Sequence, residues 1–345
     1  MRFTALRPYN ARMTKHARAA RRRFLGATLA LIAFGTLTLP GGAQAQSWPQ
    51  RPVKVLVPFA AGGNIDVTGR LVAARLSERL GQQFVVENRV GGAGIIATEA
   101  VARSAPDGYT LLWASTNVIA ITPHTNKVPY DPVKDFAPVN ALGSSPQVLM
   151  VNSKLPAKTV QEFVAYAKAQ PQKLAYGGGG GPGSAGNLIM ALFLKRAGLE
   201  MTAVSYRGSA PALADVIAGH IPVMFGPMSE AHAQRANANV RLLAVSSEKR
   251  SRRLPDVPSI AESGYPGYHA VSWTGMLAPA GTPKEIVKRL ADEIDLAIKD
   301  PKFGDQLLSH GIDPIGGGPD AFARMIASEI PVWGEAVKIA GVSAK

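Results

Sequence analysis

The 345-residue chain is 46% hydrophobic and 18% charged, enough to bury two lobes, and it has no cysteine, which excludes disulfide scaffolds, thiolate metal sites and thiol catalysis. Its formal charge of +14 suggests a polyanion partner only until the charge is located. Residues 1–45 hold eight Lys/Arg and no acid, leaving 30 basic against 24 acidic residues, a net of +6 that does not call for nucleic acid.

Those first residues read as an export signal. A basic stretch ends in Arg21-Arg22-Arg23-Phe24-Leu25, an uncharged segment runs to Leu39, and Ala43-Gln44-Ala45 gives the small-x-small pattern of a cleavage site after Ala45. The apolar run is short for a membrane span, and the paired arginines fit a twin-arginine route as well as the general secretory one. A periplasmic protein is expected.

The mature chain opens with Val53–Leu80. Val53, Val55, Leu56 and Val57 form a buried strand that stops at Pro58, and Phe59–Gly63 turns the chain. From Asp66 the apolar residues Val67, Leu71, Val72, Leu76 and Leu80 recur at helical spacing until Gly81. Such a strand–glycine turn–helix unit aims free N–H groups at one spot and favours an anion there. Strands follow at Gln83–Asn88 and Thr110–Ala114, with a helix between them that opens at Val90–Gly94 and runs through Ala102. The alternation predicts an α/β fold with parallel, doubly wound sheets.

Phe136–Asn152 reads as a long extended crossing into a second lobe. Beyond it come a helix with a capping box at Thr159–Glu162, a short strand at Leu174–Tyr176, a glycine loop over Gly177–Gly186 and a helix over Asn187–Ala197. The strand Thr202–Tyr206 leads through Arg207-Gly208-Ser209 to a helix ending at Gly219, and Val223–Phe225 and Leu242–Ser246 are further strands. His269–Pro279 is extended enough to cross back, Thr282–Glu285 starts a helix with a capping box, and a last helix from Asp320 should pack on the first lobe. This gives lobe 1 as 46–147 and 275–345, and lobe 2 as 148–274.

No catalytic constellation emerges. The histidines of the mature chain show no metal-ligand spacing, no Walker lysine follows a glycine loop, and Ser184 lacks the first glycine of a nucleophile elbow. Gly181–Gly186 matches G-x-G-x-x-G, so an exported NAD(P)-binding oxidoreductase is the alternative, though its strand is weak for that fingerprint. No metal, no cofactor and no enzymatic activity are expected. Two lobes lined with glycine turns and helix N-termini have the physics of a clamshell for a small anion. Backbone amides at Gly62, Gly63 and Asn64 from one lobe, and Gly180, Gly181 and Ser184 from the other, are expected to capture it. Arg207, one residue past a strand end, is the exception whose guanidinium fork would pair with the anion directly.

Several stretches carry a resemblance, in order and over nearly all of the mature chain. They include Val57-Pro58-Phe59-Ala60-Ala61-Gly62-Gly63 with Asp66, Val86-Glu87-Asn88-Arg89, Ala105-Pro106-Asp107-Gly108-Tyr109-Thr110 and Pro129-Tyr130-Asp131-Pro132. Tyr206–Ala212, Leu254–Pro258 and Leu277–Pro283 continue the series. The chain resembles the Bug family, periplasmic solute receptors of tripartite tricarboxylate transporters. The resemblance implies a type II periplasmic-binding-protein fold closing on a small organic carboxylate, in a monomeric receptor that either delivers it to membrane transport subunits or acts as a sensor. It adds Phe59, Asp66, Thr116, Asn117 and Tyr206 to the candidate ligand residues. The chain departs from the family pattern at Ile65, at the nearly bare glycines of Gly177–Pro182, and at Pro222 and Gly226. These changes remove side-chain donors and acids, and imply a roomier, more apolar cleft that suits an aromatic or hydrophobic carboxylate rather than citrate.

Overall fold

The computed structural model describes residues 48–342 apart from Gly180 and Pro182. The export signal and Gly180 therefore lie outside the described residues. The chain divides into Met1–Trp48 and Pro49–Lys345. The architecture below is that of the second unit.

The elements run β1 (Val53–Val57), α1 (Asn64–Leu80), β2 (Phe84–Asn88), α2 (Ile95–Ala102), β3 (Thr110–Ser115), α3 (Thr122–Thr125) and β4 (Phe136–Asn152). Next come α4 (Val160–Ala169), β5 (Ala175–Gly179), α5 (Ala185–Ala197), β6 (Thr202–Tyr206), α6 (Ser209–Ala218), β7 (Val223–Pro227), α7 (Met228–Ala233) and β8 (Val240–Val245). The chain ends with β9 (Val271–Pro279), α8 (Lys284–Lys299), α9 (Pro301–Ser309), β10 (Asp313–Pro314) and α10 (Gly318–Ile339).

The strands follow the order β2-β1-β3-β9-β4-β7-β5-β6, with β8 and β10 also paired to β4. β1 is parallel to β2 and β3, and β5 is parallel to β6 and β7, as strands alternating with helices require. β4 joins the two halves. Its first part, Phe136–Pro146, pairs antiparallel with β9, and from Gln147 it pairs with β7 and β8 instead. The return falls at the start of the expected stretch His269–Pro279, with β9 itself beginning at Val271 and lying wholly in the first half. The chain crosses back at Ala270–Val271, since Leu254, Ile260, Tyr268 and Ala270 still pack in the cores of the second half. There the buried Ser246 hydroxyl accepts from the Gln147 N–H at 2.9 Å and donates to the Ala270 carbonyl at 2.6 Å, tying both crossings together.

Each half has its own core. Leu56, Leu112, Trp273, Leu277 and Phe322 belong to one cluster, while Leu149, Phe163, Leu188, Phe193 and Phe225 belong to another. The last helix does not remain on the first core. Phe322 and Ile326 of α10 enter that cluster, but Trp333, Ala336 and Val337 enter the second, so α10 fastens one half to the other. Nor is Gly177–Gly186 one long loop, since Gly177, Gly178 and Gly179 lie in β5. A Cβ on them would come within 2.7 Å of Ile221 Cδ1, 2.7 Å of Asn187 Oδ1 and 2.8 Å of Ser209 Cα, so glycine serves close approach there rather than turning. At the start of α8, Thr282 donates its hydroxyl to the Pro279 carbonyl and Pro283 takes the cap position, in place of a capping box.

Candidate functional site

β1 ends at Val57 and α1 starts at Asn64, so the loop between them must reverse within a few residues. Gly62 supplies the reversal with φ +85°, a conformation that strains a residue bearing a Cβ. Gly63 does not, having φ −75° in extended backbone as the helix cap. The Gly63 carbonyl accepts from Val67, which leaves the amides of Asn64, Ile65 and Asp66 ahead of the first intrahelical bond.

Asp66 fixes this loop from inside. It is buried, and its Oδ2 accepts from the Gly62 N–H at 2.9 Å and from Arg70 Nε at 3.0 Å. Its Oδ1 accepts from Asn88 Nδ2 at 2.8 Å, and Asn88 also donates to the Phe59 carbonyl at 2.9 Å. Burial alone would raise the Asp66 carboxyl. The bonds from Arg70, Gly62 and Asn88 outweigh it and hold the group below the usual carboxylate range.

The second half builds a matching end. The Ser184 carbonyl accepts from Leu188 at 2.9 Å, so the amides of Ala185 and Gly186 precede the first bond of α5. Both the N–H and the hydroxyl of Ser184 point back to the Gly181 carbonyl, at 3.1 and 2.8 Å. Gly181 turns with φ +86°. Gly186 lies so near the Phe225 carbonyl that a Cβ would come within 2.8 Å of it.

The N-terminal ends of α1 and α5 open on one cavity of about 610 Å³. Gly62 and Asn64 stand at its exposed rim, and Ala185 borders it from the other half. Ser115, Thr116, Ser145, Ser272 and Thr274 line it from the sheet, and Gln147 stands where β4 changes partners. Pro227, Ser229, His310 and Ile312 form a wall. The wall approaches closely because β10 lies on Gly143, where a Cβ would come within 2.5 Å of the Asp313 carbonyl oxygen and of Ile312 Cγ2. Among the described lining residues there is no Lys, Arg, Asp or Glu. An anion in such a chamber would be held by oriented dipoles and hydrogen bonds, not by a counter-charge.

Of the residues expected from sequence, Gly62, Asn64, Thr116 and Asn117 line this cavity. Phe59, Asn117 and Gly183 border a smaller pocket of about 190 Å³. Gly63, Asp66, Gly181 and Ser184 sit in the two loops without lining the cavity, and the Gly62 amide is already bonded to Asp66. Thr116 is buried, and its hydroxyl accepts from the Trp273 amide at 2.7 Å. Tyr206 and Arg207 are not brought in. Desolvation, and then the bond that the Tyr206 hydroxyl donates to Asp215 Oδ2 at 2.6 Å, push the phenol up to about 12, and Arg207 is exposed and does not line the cavity. The hydroxyls of β9 and of the middle of β4 escape sequence reading. The only signal is a few Ser and Thr interrupting otherwise apolar strands such as Val271–Pro279.

A family model described as "Tripartite tricarboxylate transporter family receptor" matches residues 68–342. Protein BugT of Bordetella pertussis is 34% identical over 91% of this chain and 97% of its own length. Among solved structures, R. palustris Rpa4515 with adipate is 37% identical, covers 87% of this chain and 100% of its own, and superposes with a TM-score of 0.69. MatC from Rhodopseudomonas palustris with bound malate is 30% identical over 84% of this chain and 100% of its own, with a TM-score of 0.65. No helix among the described residues is long and apolar enough to cross a membrane.

Proposed function

Since the chain belongs to the tripartite tricarboxylate transporter receptor family, we propose that its cleft takes a small organic carboxylate, held at the exposed rim by the first-turn amides of α1 and α5. The protein is a periplasmic solute-binding receptor, not an enzyme, and the dinucleotide reading of Gly181–Gly186 falls away with that membership. The observation that carries the ligand class is one cavity bordered by two helix N-terminal ends and lined, among the described residues, by no Lys, Arg, Asp or Glu. Hydrogen bonds to a charged group contribute about 1.5–3 kcal/mol each, so two or three amides supply about 3–9 kcal/mol and the rest of the cleft's contacts must offset the ordering costs. The relatives' adipate and malate are both carboxylates, which agrees with that chemistry.

The receptor's partner is the membrane component of such a transporter, to which it delivers ligand as a monomer after cleavage behind Ala45. The two lobes, 46–147 with 271–345 and 148–270, close on the ligand by rotation about the paired crossings at Gln147 and Ala270, which Ser246 ties together. The test is a thermal-shift screen of mono- and dicarboxylates against matched amides. A ligand at a hundred times its Kd adds about 2.7 kcal/mol of stability. Protection by carboxylates and not by amides supports the reading. Equal protection by the amides, or none by any carboxylate, refutes it.

A further inference from the structure

The floor of the cleft carries hydroxyls that no described residue satisfies. Ser115 ends β3, and Thr274 lies directly opposite it on β9. Each is only 4% exposed, both line the cavity, and neither Ser115 Oγ nor Thr274 Oγ1 has a hydrogen-bond partner among the described residues. Their direction follows from strand alternation. Trp113, two residues before Ser115, donates its indole N–H to Thr68 of α1 at 3.2 Å, so Ser115 faces the side of the sheet that carries α1. Ser272, two residues before Thr274, shares that face and pairs with Ser145 of β4. Three adjacent strands thus present hydroxyls to one chamber. A buried hydroxyl without a partner destabilises the fold, and a ligand oxygen would relieve that cost.

We propose that Ser115 and Thr274 form a neutral subsite for an uncharged hydroxyl of the ligand, set apart from its carboxylate. The inference rests on the carboxylate reading above and adds a second recognition element to the same site. The charged end belongs at the rim, where Gly62 and Asn64 are exposed and water still reaches it. A second carboxylate on the floor would lose its water and meet only neutral groups, which is far costlier than burying a hydroxyl. A hydroxyl both donates and accepts, as do Ser and Thr, so all three groups can be satisfied together. The ligand class is therefore a hydroxy acid, preferred over the diacid of the same length.

Calorimetry on the purified protein with straight-chain acids of four to eight carbons decides this. Each length is tested as the plain acid, the ω-hydroxy acid and the α,ω-diacid. The best hydroxy acid is expected to bind about tenfold more tightly than its plain counterpart, the effect of one net hydrogen bond of about 1.4 kcal/mol, and more tightly than its diacid. In the double variant Ser115→Ala/Thr274→Val that gain should fall to about twofold or less. The single variants serve if the double one does not fold. The proposal is overturned if the gain survives the substitutions, if no hydroxy acid gains over its plain counterpart, or if the best diacid outbinds every hydroxy acid. If no acid of any kind binds, the carboxylate reading itself fails, and the subsite with it.

Discussion

Removing the Asp66 carboxylate should loosen the loop between β1 and α1 without deleting any residue that lines the cavity. Asp66→Ala leaves the Gly62 N–H, Asn88 Nδ2 and Arg70 Nε without their acceptor. A hydrogen bond to a charged group is worth about 1.5–3 kcal/mol. The Arg70 bond counts for little, because its side chain is 51% exposed and water replaces the lost partner. Asn88 keeps its bond to the Phe59 carbonyl, which softens the second loss. The sum is a destabilisation of about 3–4 kcal/mol. Asp66→Asn should cost somewhat less, about 2–3 kcal/mol, because the amide cannot accept on both sides and turns a donor toward one of its neighbours. Urea unfolding gives the stability change. Calorimetry with the best carboxylate from the screen should show affinity falling at least tenfold in either variant, since Gly62–Asn64 is no longer preorganised. If Asp66→Asn matches the wild type in both measurements, Asp66 does not organise the loop. If stability is kept and only binding is lost, the carboxylate acts on the ligand itself.

Three further outcomes follow from the same geometry. Gly62→Ala should lose about 1–2 kcal/mol because Gly62 holds φ +85°, whereas Gly63→Ala should change stability by less than about 0.5 kcal/mol, its new Cβ meeting only the Ala60 carbonyl at 3.7 Å; paired urea melts read the contrast, and equal losses would contradict it. Ser246→Ala strands a buried N–H at Gln147 and a carbonyl at Ala270, a loss of about 2–3 kcal/mol, and small-angle scattering should then show a changed radius of gyration without ligand; an unchanged radius and melt would remove Ser246 from the hinge. Burial of Glu329 against Trp333 pushes its carboxyl up from 4.5 to about 7, with the His269 ring 3.6 Å away. The folded state then holds a proton that the unfolded state releases, so stability present below pH 4.5 is lost as pH rises to about 7, by on the order of 3 kcal/mol. Glu329→Gln should flatten that slope in pH-dependent unfolding, and a variant with the wild-type slope would assign it elsewhere.

The sequence by itself determined the class of fold and most of its elements. Val53–Val57, Phe136–Asn152 and Val160–Ala169 are legible because apolar period, glycine stops and a Thr159 cap are local signals. The motifs that carry the family resemblance are also local, and the structure shows what they do. Asn88 clamps the loop of Phe59, Asp107 caps the turn at Tyr109, and the Tyr130 hydroxyl holds the Val118 carbonyl at 2.7 Å. These residues punctuate the chain, and punctuation is written in neighbouring residues. The lining of the cleft is not. Ser115 meets Thr274, and Ser145 meets Ser272, only because β3 and β4 both pair with β9. Gln147 meets Ser246 only because the chain crosses twice at one point. Arg207 and Tyr206 look like ligand residues beside a glycine turn, yet one is exposed and does not line the cavity, and the other is bonded to Asp215. Strand register and the direction of each side chain are set by the whole sheet, since a shift of one residue would turn every hydroxyl to the opposite face. Which polar groups share the chamber is thus decided by tertiary structure alone.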